Sequence, residues 1–362
     1  LSLQPEKILK SFWINMPESE ITRKTQGMLD LQVNGFGGID YNNSNLDPED
    51  FEKSLQKMLA TGVTSCLPTL ISASETHLKS CFQALEKGRQ NSELAQTMVI
   101  GYHLEGPFLS PEEGSRGCHP AEVMRGADLN FFEQLQETAG GMIRLVTVAP
   151  EIEGALSFIE QLSSKGIIVA LGHTSAGIEL IRQATDCGAV LSTHLGNGTA
   201  SMLSKHDNPI LAQLSEDRLS ASFITDGYHL SREQLQLYLR AKGPDRTILV
   251  TDATSAAAAA PGVYGLGPMT LERQQEPVAL SPDTGRPAGS AVTLDQCLQN
   301  VINWFDLSLD DAISWASDNP RKILGNSISE NDFSDQWINW KKMEGMWKVL
   351  EVQTGKFNIQ NY

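Results

Sequence analysis

Short apolar runs alternate along the chain with longer amphipathic segments. Eight runs are rich in β-branched and aliphatic residues, as in Ile-Ile-Val-Ala-Leu at 167–171 and Ile-Leu-Val at 248–250. Strands of a parallel sheet covered on both faces are apolar without strict alternation, so each run predicts a buried strand. The predicted strands are Met28–Val33, Thr64–Leu70, Val99–Glu105, Ile143–Val148, Gly166–Leu171, Ala189–His194, Leu219–Thr225 and Thr247–Asp252.

The segments between these strands have helical spacing. Pro48 after Asp47, and Ser231 before Arg232, are typical helix starts. Eight β/α alternations close naturally into a barrel, whereas an open doubly wound sheet usually has fewer strands and a Gly-rich dinucleotide turn. The pattern therefore predicts an α/β chain with a (β/α)₈ TIM-like barrel. The predicted helices are Pro48–Ala60, Glu75–Arg89, Leu129–Thr138, Ile152–Lys165, Ala176–Cys187, Ser231–Lys242 and Ala291–Trp304.

The barrel is predicted to span 28–325, and its boundaries leave two short chain ends. Residues 262–290 predict a β-hairpin insertion before the last barrel helix, since glycines and prolines flank two short apolar runs. Residues 1–27 and 326–362 predict a small accessory β region, with two strands at Trp347–Val352 and Gly355–Asn358; whether this layer is reduced stays open. The low-complexity run Ala256–Ala260, followed by Pro261, predicts a mobile loop.

The charge and cysteine content narrow the class of protein. A formal charge of −16 over 362 residues, with no polybasic run, excludes nucleic acid and anionic membrane surfaces as partners. A small anionic substrate remains possible, provided that a metal, a helix N-terminus or one or two basic side chains bind its negative charge. The five cysteines lack paired spacing, and no stretch is long and apolar enough to span a membrane. We therefore expect a soluble, cytoplasmic protein.

Ionisable residues stand at the ends of several predicted strands: Glu105, His173, His194, Asp226 and Asp252. In β/α barrels the active site is assembled from the carboxyl ends of several strands, so these side chains are expected to converge. A single ionisable side chain at a strand end is more often structural, with its polar atoms hydrogen-bonded to loop backbone. Two imidazoles and a carboxylate in one buried mouth, however, are costly without a cation.

Three protein ligands with an open fourth position are typical of a catalytic zinc site, which activates water and polarises a carbonyl. Glu105, His173 and His194 are the candidate ligands. Asp252, in Leu-Val-Thr-Asp-Ala-Thr, is placed to take a proton from water and pass it to a departing amine; the alternative is a helix N-cap. His119 and His229 are candidates for orienting a carbonyl or contacting substrate. For each of them, the alternative is an ordinary loop histidine without such a role.

Eight short motifs occur in order between about Leu29 and Leu324. They are Leu-Asp-Leu-Gln-Val-Asn-Gly at 29–35, His-Leu-Glu-Gly-Pro-Phe at 103–108, Gly-His-Thr at 172–174, Thr-His-Leu-Gly-Asn at 193–197, Thr-Asp-Gly-Tyr-His at 225–229, Thr-Asp-Ala-Thr at 251–254, Ala-Gly-Ser-Ala at 288–291 and Asn-Pro at 319–320. Any one is weak, but together they resemble the N-acetylglucosamine-6-phosphate deacetylase family of the amidohydrolase superfamily.

The resemblance implies one divalent metal ion per subunit, held by Glu105, His173 and His194. Zinc, iron and manganese all suit this ligand set. It implies that Asp252 acts first as general base and then as general acid, that His119 polarises the acetyl carbonyl, and that the products are glucosamine 6-phosphate and acetate. It also implies a homodimer whose phosphate site borrows from the neighbouring subunit. The residues implied to line the sugar and acetyl pocket are Cys118, His119, Asn197, Gly198, Asp226, His229, Pro287, Ala288 and Gly289.

Two departures from related patterns bear on the chemistry. Many amidohydrolases carry His-x-His after the first strand to hold a second metal, but Gln32 and Asn34 stand there, which predicts a mononuclear site. The family's phosphate-contacting Arg is replaced by a Lys205–His206 segment, and a lysine lacks the bidentate guanidinium fork. Lys205 is therefore the candidate phosphate contact.

Three other functions stay open on the sequence. The first is another amidohydrolase acting on an N-acyl or cyclic amide. The second is a catalytically silent barrel that binds a sugar phosphate; such a barrel is expected to have lost a ligand or the acid/base. The third is a glycosidase, which needs two carboxylates flanking the bond and would leave the two histidines unexplained.

Overall fold

Eight parallel strands form the central sheet in their order along the chain. The computed structural model describes residues 21–282, 285–325, 333 and 335–361. The predicted (β/α)₈ barrel is confirmed. Its strands are Met28–Val33, Val63–Ile71, Tyr102–Glu105, Ile143–Val148, Ile168–Leu171, Leu191–Ser192, Ser220–Phe223 and Thr247–Leu249.

Helices cover the outside of the barrel and bury apolar faces against it. Many begin at a side-chain cap, as at Asp47, Ser74 and Ser231, which satisfies backbone N–H groups that a first turn leaves unpaired. The α-helices are Pro48–Ala60, Glu75–Asn91, Glu93–Met98, Leu129–Thr138, Ala155–Ser164, Ile178–Asp186, Pro209–Leu214, Arg232–Lys242, Leu294–Phe305, Leu309–Ala316 and Asp318–Leu324, with short 3₁₀ turns at Ala121–Val123 and Pro244–Arg246.

A four-stranded antiparallel sheet, which we call the excursion sheet, interrupts the chain between the eighth barrel strand and Leu294–Phe305. Its strands are Gly262–Leu266, Met269–Arg273, Val278–Leu280 and Pro287–Ser290. Ser290 forms a parallel bridge with Ala253, so the last strand of this sheet lies directly beside the end of the barrel.

A second four-stranded sheet joins the two ends of the described chain. Thr22–Gln26 pairs with Gln336–Met343, which is followed by Met346–Thr354 and Phe357–Gln360. The tail thus contributes three strands rather than the two expected. Residues 1–20, 326–332, 334 and 362 of the predicted accessory region lie outside the described residues. A two-stranded pair at Gly35–Phe36 and Ile39–Asp40 follows the first barrel strand.

The structure corrects three expectations: where two of the strands end, which helices are present, and how the alanine run is packed. The strands before His194 and Asp252 end early, at Ser192 and Leu249, because the chain turns to aim these side chains into the barrel mouth. Four observed helices were not among those predicted: Glu93–Met98, Pro209–Leu214, Leu309–Ala316 and Asp318–Leu324. The alanine run is packed in its first half: Ala256 and Ala257 are fully buried, and Gly37 N–H donates to the Ala257 carbonyl. In the part of the chain that is described, no helix has the length and apolar content to cross a bilayer.

A buried carboxylate, Asp30, lies at the seam between the first and eighth strands, which backbone hydrogen bonds also join. Val33 and Ala253 form the single parallel bridge there. Beneath it, Asp30 accepts hydrogen bonds from the Thr251 hydroxyl at 2.5 Å and from the backbone N–H groups of Thr251 and Gln32. Burial raises the pKa of Asp30 to about 7, against its usual value near 4.

We expect Asp30 to make the stability of the seam depend on pH. The folded state binds the proton of Asp30 more tightly than the unfolded state, so this contribution is complete below about pH 4 and is lost as pH rises through about 7. Asp30→Asn has no proton to lose. The measurement is urea unfolding of both proteins at pH 5, 6, 7 and 8. The free energy of unfolding of the wild type minus that of the variant should fall as pH rises to about 7 and then level off. A difference that stays constant across this range would contradict the assignment.

Candidate active site

The carboxyl ends of six barrel strands deliver polar side chains to one mouth. Glu105 ends the third strand, while His173, His194 and Asp252 follow the fifth, sixth and eighth within three residues. The last three have positive φ, at 50°, 27° and 49°. Non-glycine residues are uncommon in this region and cluster where function constrains the backbone. Here the turn directs each side chain inward instead of along the strand.

The ligand atoms of Glu105, His173 and His194 lie within 4.8 Å of one another, and all three residues are buried. The Nε2 atoms of both histidines face the same carboxylate oxygen, Oε1 of Glu105, at 3.3 and 2.9 Å respectively. This places two imidazole nitrogens and one carboxylate oxygen around a common centre, which is the donor set of a catalytic zinc-type site.

The hydrogen bonds behind this cluster fit a bound cation. Nδ1 of His173 lies 2.9 Å from the Ser115 carbonyl oxygen, so Nδ1 carries the proton and the lone pair of Nε2 faces Glu105. Burial alone would raise the pKa of Glu105, but the contacts with His173 and His194 outweigh it and hold that pKa well below its usual range. A buried carboxylate and two imidazole rings facing the same point are donor groups that suit a divalent cation.

His119 lies beside this cluster with its tautomer fixed. The Ser72 backbone N–H donates to Nδ1 of His119 at 3.3 Å, and the Ser72 hydroxyl lies 2.8 Å from the same nitrogen. Since Nδ1 is an acceptor, Nε2 carries the proton, and it lies 3.9 Å from Oε2 of Glu105. Burial lowers the pKa of His119 to about 3, which keeps the ring neutral. His119 therefore offers one N–H donor to the site.

Two amides connect Asp252 to the cluster. Gln32 Nε2 donates both to Oε1 of Glu105 at 3.0 Å and to Oδ1 of Asp252 at 3.1 Å. Asn34 Nδ2 donates to the same Oδ1 at 2.7 Å. Burial, and next the charge of Glu105, raise the pKa of Asp252 to about 6. A carboxylate poised near neutral pH is suited to both accept and donate a proton.

His229 and Asp226 form a buried pair at the pocket wall. His229 Nδ1 lies 2.6 Å from Oδ2 of Asp226, whose Oδ1 accepts the backbone N–H groups of Tyr228 and His229. Burial alone would raise the pKa of Asp226, but the His229 contacts lower it overall. The ionised Asp226 therefore orients the His229 ring toward the pocket. His229 lines the pocket, whereas Asp226 does not.

The pocket brings together most of the residues that the sequence singled out. Two predicted pocket residues lie elsewhere: Asp226 lies behind His229, and Lys205 is exposed in the Ser201–Asp207 segment, outside the pocket lining. Four lining residues were not predicted from the sequence: Asn34, Ile71, Gly117 and Leu266. The sequence analysis interpreted Gln32 and Asn34 only as missing metal ligands. The lining residues are Asn34, Ile71, Glu105, Gly117, Cys118, His119, His173, His194, Asn197, Gly198, His229, Asp252, Leu266, Pro287, Ala288 and Gly289.

Curated proteins similar to this chain are sugar-phosphate deacetylases. It is 31% identical over 301 residues to the N-acetylglucosamine-6-phosphate deacetylase of Bacillus subtilis, covering 83% of this chain and 74% of that protein. It is 29% identical over 316 residues to the N-acetylgalactosamine-6-phosphate deacetylase of Escherichia coli, covering 86% of this chain and 81% of that protein. No family model matches the chain.

A solved structure of the same kind superposes on the chain. It is a mutant N-acetyl-D-glucosamine-6-phosphate deacetylase from Mycobacterium smegmatis in complex with N-acetyl-D-glucosamine-6-phosphate. The TM-score is 0.81 at 28% sequence identity, and the match covers 91% of this chain and 85% of that chain.

Gly198 leaves the space that the His173 ring occupies. A Cβ at this position, where φ is +57°, would lie 2.5 Å from Nδ1 of His173. We expect Gly198→Ala to displace the ring and to lower the bound metal several-fold, measured by elemental mass spectrometry after dialysis against zinc. Gly166→Ala is the control, because Gly166 has a φ of +75° with no atom within 4 Å of the added Cβ. Equal metal contents in the two variants would show that Gly198 does not position His173.

Proposed function

The chain belongs to the N-acetylglucosamine-6-phosphate deacetylase family, and we propose that it hydrolyses N-acetyl-D-glucosamine 6-phosphate to D-glucosamine 6-phosphate and acetate in amino-sugar catabolism. The observation that carries the proposal is the convergence of Glu105, His173 and His194 within 4.8 Å. Gln32 connects Glu105 of that triad to Asp252. A metal-binding triad coupled to a proton-transfer group is what hydrolysis of an unactivated amide requires.

We propose that Glu105, His173 and His194 hold one divalent cation, with zinc as the first candidate and iron or manganese as alternatives. When bound, such a cation lowers the pKa of water and polarises a carbonyl. The amides of Gln32 and Asn34 are poor substitutes for imidazole, and both already donate to Asp252. This supports a mononuclear site.

Asp252 moves the proton in the proposed reaction. Its carboxylate accepts a proton from the attacking water as the new C–O bond forms, and then donates it to the sugar nitrogen as the C–N bond breaks. The donors Gln32 and Asn34 both bind Oδ1, which leaves Oδ2 for this transfer. His119, with its proton on Nε2, donates a hydrogen bond to the acyl oxygen as negative charge develops there.

The remaining pocket residues are proposed to bind the sugar phosphate. Asn197 and Gly198 follow His194 along the same loop, while Pro287, Ala288 and Gly289 belong to the last strand of the excursion sheet. His229, held by Asp226, offers its other ring nitrogen to a hydroxyl or phosphate oxygen. Lys205 is exposed near this loop and is proposed as a flexible phosphate contact.

The assembly and compartment are also proposals. Met202, Leu203, Leu211 and Leu237 are exposed large apolar side chains on segments that follow the sixth and seventh strands, and we propose that a second copy covers them in a homodimer. Asp207 anchors this loop to the first turn of a helix by accepting the Ile178 N–H at 2.7 Å. All five cysteines are free thiols, which supports a reducing cytoplasm.

The test of the proposed function is an acetate-release assay combined with metal analysis. The substrates are the 6-phosphates of N-acetylglucosamine and N-acetylgalactosamine and the two unphosphorylated sugars; the galactosamine arm follows the Escherichia coli relative. We expect the highest kcat/KM with the glucosamine phosphate. Binding of that compound without acetate release would identify a catalytically silent barrel instead.

Two substitutions should separate metal binding from proton transfer. His194→Ala removes a ligand, so metal content and activity should be lost together. Asp252→Asn keeps the metal but cannot accept a proton, and we expect kcat to fall by roughly 10²-fold or more. His77→Ala is the control, because its ring contacts the Asn42 carbonyl outside the pocket lining. A near-normal rate in Asp252→Asn would refute the role of Asp252.

Lys205→Ala should raise the KM for the phosphorylated sugar and leave the KM for free N-acetylglucosamine unchanged. An exposed ion pair is worth about 1 kcal/mol at most, so the expected rise is roughly fivefold and should shrink at high salt. The matched control is Lys165→Ala, since Lys165 pairs with Glu133 on the helical layer. Equal effects on both sugars would show that Lys205 does not contact the phosphate.

A further inference from the structure

Part of the pocket lining is apolar, although most of the site consists of ionisable and amide groups. Ile71 and Leu266 are the two large aliphatic side chains among the described lining residues, with Cys118 and Ala288 beside them in the same lining. Ile71 is 3% and Leu266 1% exposed. We call these four residues the apolar wall.

The apolar wall belongs to a hydrophobic cluster that is separate from the barrel core. The cluster contains Ile71, Ala256, Leu266, Leu271, Ala279, Ala288 and Ala291, with Cys118 packed against it. The excursion sheet therefore supplies Leu266 and Ala288, while the second barrel strand supplies Ile71. The wall exists only because the excursion sheet folds back over the end of the barrel.

Side chains from other segments hydrogen-bond the backbone of the residues on either side of Leu266. The Ser255 hydroxyl donates to the Gly265 carbonyl at 2.6 Å, and the Gly267 N–H donates to Oδ2 of Asp40 at 2.7 Å. A side chain fixed between two anchored neighbours cannot easily move aside for a larger ligand. The wall is therefore a rigid boundary of the pocket.

The wall begins beside the group that faces the acyl oxygen. Ile71 directly precedes Ser72, whose N–H and hydroxyl fix the His119 ring. Ile71 and His119 both line the pocket, so an acyl group whose oxygen meets His119 has Ile71 in the same part of the lining.

The chemistry of the substrate matches this position. A sugar phosphate presents hydroxyl and phosphate oxygens, which lose free energy when buried against carbon without a hydrogen-bond partner. Its acyl methyl is the single group that gains from such burial, and each buried methylene is worth roughly fourfold in affinity. Resting on the proposed deacetylation, we propose that the apolar wall binds the acyl methyl and that Leu266 limits the length of the acyl chain that the enzyme hydrolyses.

The test is a series of N-formyl, N-acetyl, N-propanoyl and N-butanoyl glucosamine 6-phosphates. For the wild type we expect kcat/KM to fall steeply beyond acetyl. Leu266→Ala opens space for the longer chains, so the butanoyl-to-acetyl ratio of kcat/KM should rise about tenfold or more. Leu266→Val removes less volume and keeps a residue suited to a strand; it should raise the propanoyl-to-acetyl ratio a few-fold.

Leu271→Ala is the matched control. Leu271 is fully buried in the same cluster and lies in the paired strand of the excursion sheet, but it does not line the pocket. It should loosen the sheet as much as Leu266→Ala does while leaving the acyl ratios unchanged. A similar change of ratio in both variants would overturn the role of Leu266, because general loosening would then explain it.

The outcomes also separate this inference from the proposed function. A wild type that releases acetate, with acyl ratios unaltered in both Leu266 variants, overturns the acyl limit alone. A wild type that releases no acetate from any of the sugars overturns the deacetylase proposal and this inference with it.

Discussion

The site depends on one buried negative charge, the carboxylate of Glu105. Its Oε1 is the common neighbour of the His173 and His194 rings and of the Gln32 amide. A charge in such surroundings is stable only when donors or a cation compensate it, so the positions of the neighbouring side chains are tightly constrained. The same carboxylate also raises the pKa of Asp252. The charge of Glu105 therefore links the proposed metal-binding triad to Asp252, the proposed proton-transfer group.

The barrel satisfies this constraint by ending its strands at different heights. His173, His194 and Asp252 stand in left-handed turns, which aim their side chains inward where a continued strand would carry them past the mouth. The backbone around them makes room: a Cβ at Gly198 would lie 2.5 Å from Nδ1 of His173, and one at Gly117 would lie 3.0 Å from the same ring. These turns follow strands that are mostly buried, and the surrounding packing can maintain the strain of such turns.

The two amides after the first strand have a positive role. Gln32 and Asn34 stand where other amidohydrolases carry a second pair of metal ligands, yet here both bind Oδ1 of Asp252 and one also binds Glu105. They orient the Asp252 carboxylate through these hydrogen bonds. Asp30 supports them from below by holding the seam between the first and last strands. The excursion sheet completes the site by adding an apolar wall that the barrel strands alone do not provide.

The sequence predicts those features of the structure that are set by residues close together in the chain. Hydrophobic runs and helix caps are local, so the barrel, its order of strands and most helix positions could be predicted. Even the four missed helices have N-cap residues of the usual type, namely Ser92, Asn208, Ser308 and Ser317. The rule that active sites form at the carboxyl ends of barrel strands was enough to group Glu105, His173, His194 and Asp252. Contacts between distant segments leave no such trace. The bonds from Gln32 to Glu105 and Asp252, the burial of Ala256 and Ala257, the place of Asp226 behind His229 and the meeting of Leu266 with Ile71 were decided by tertiary structure, because each depends on how two segments far apart in the chain pack against each other.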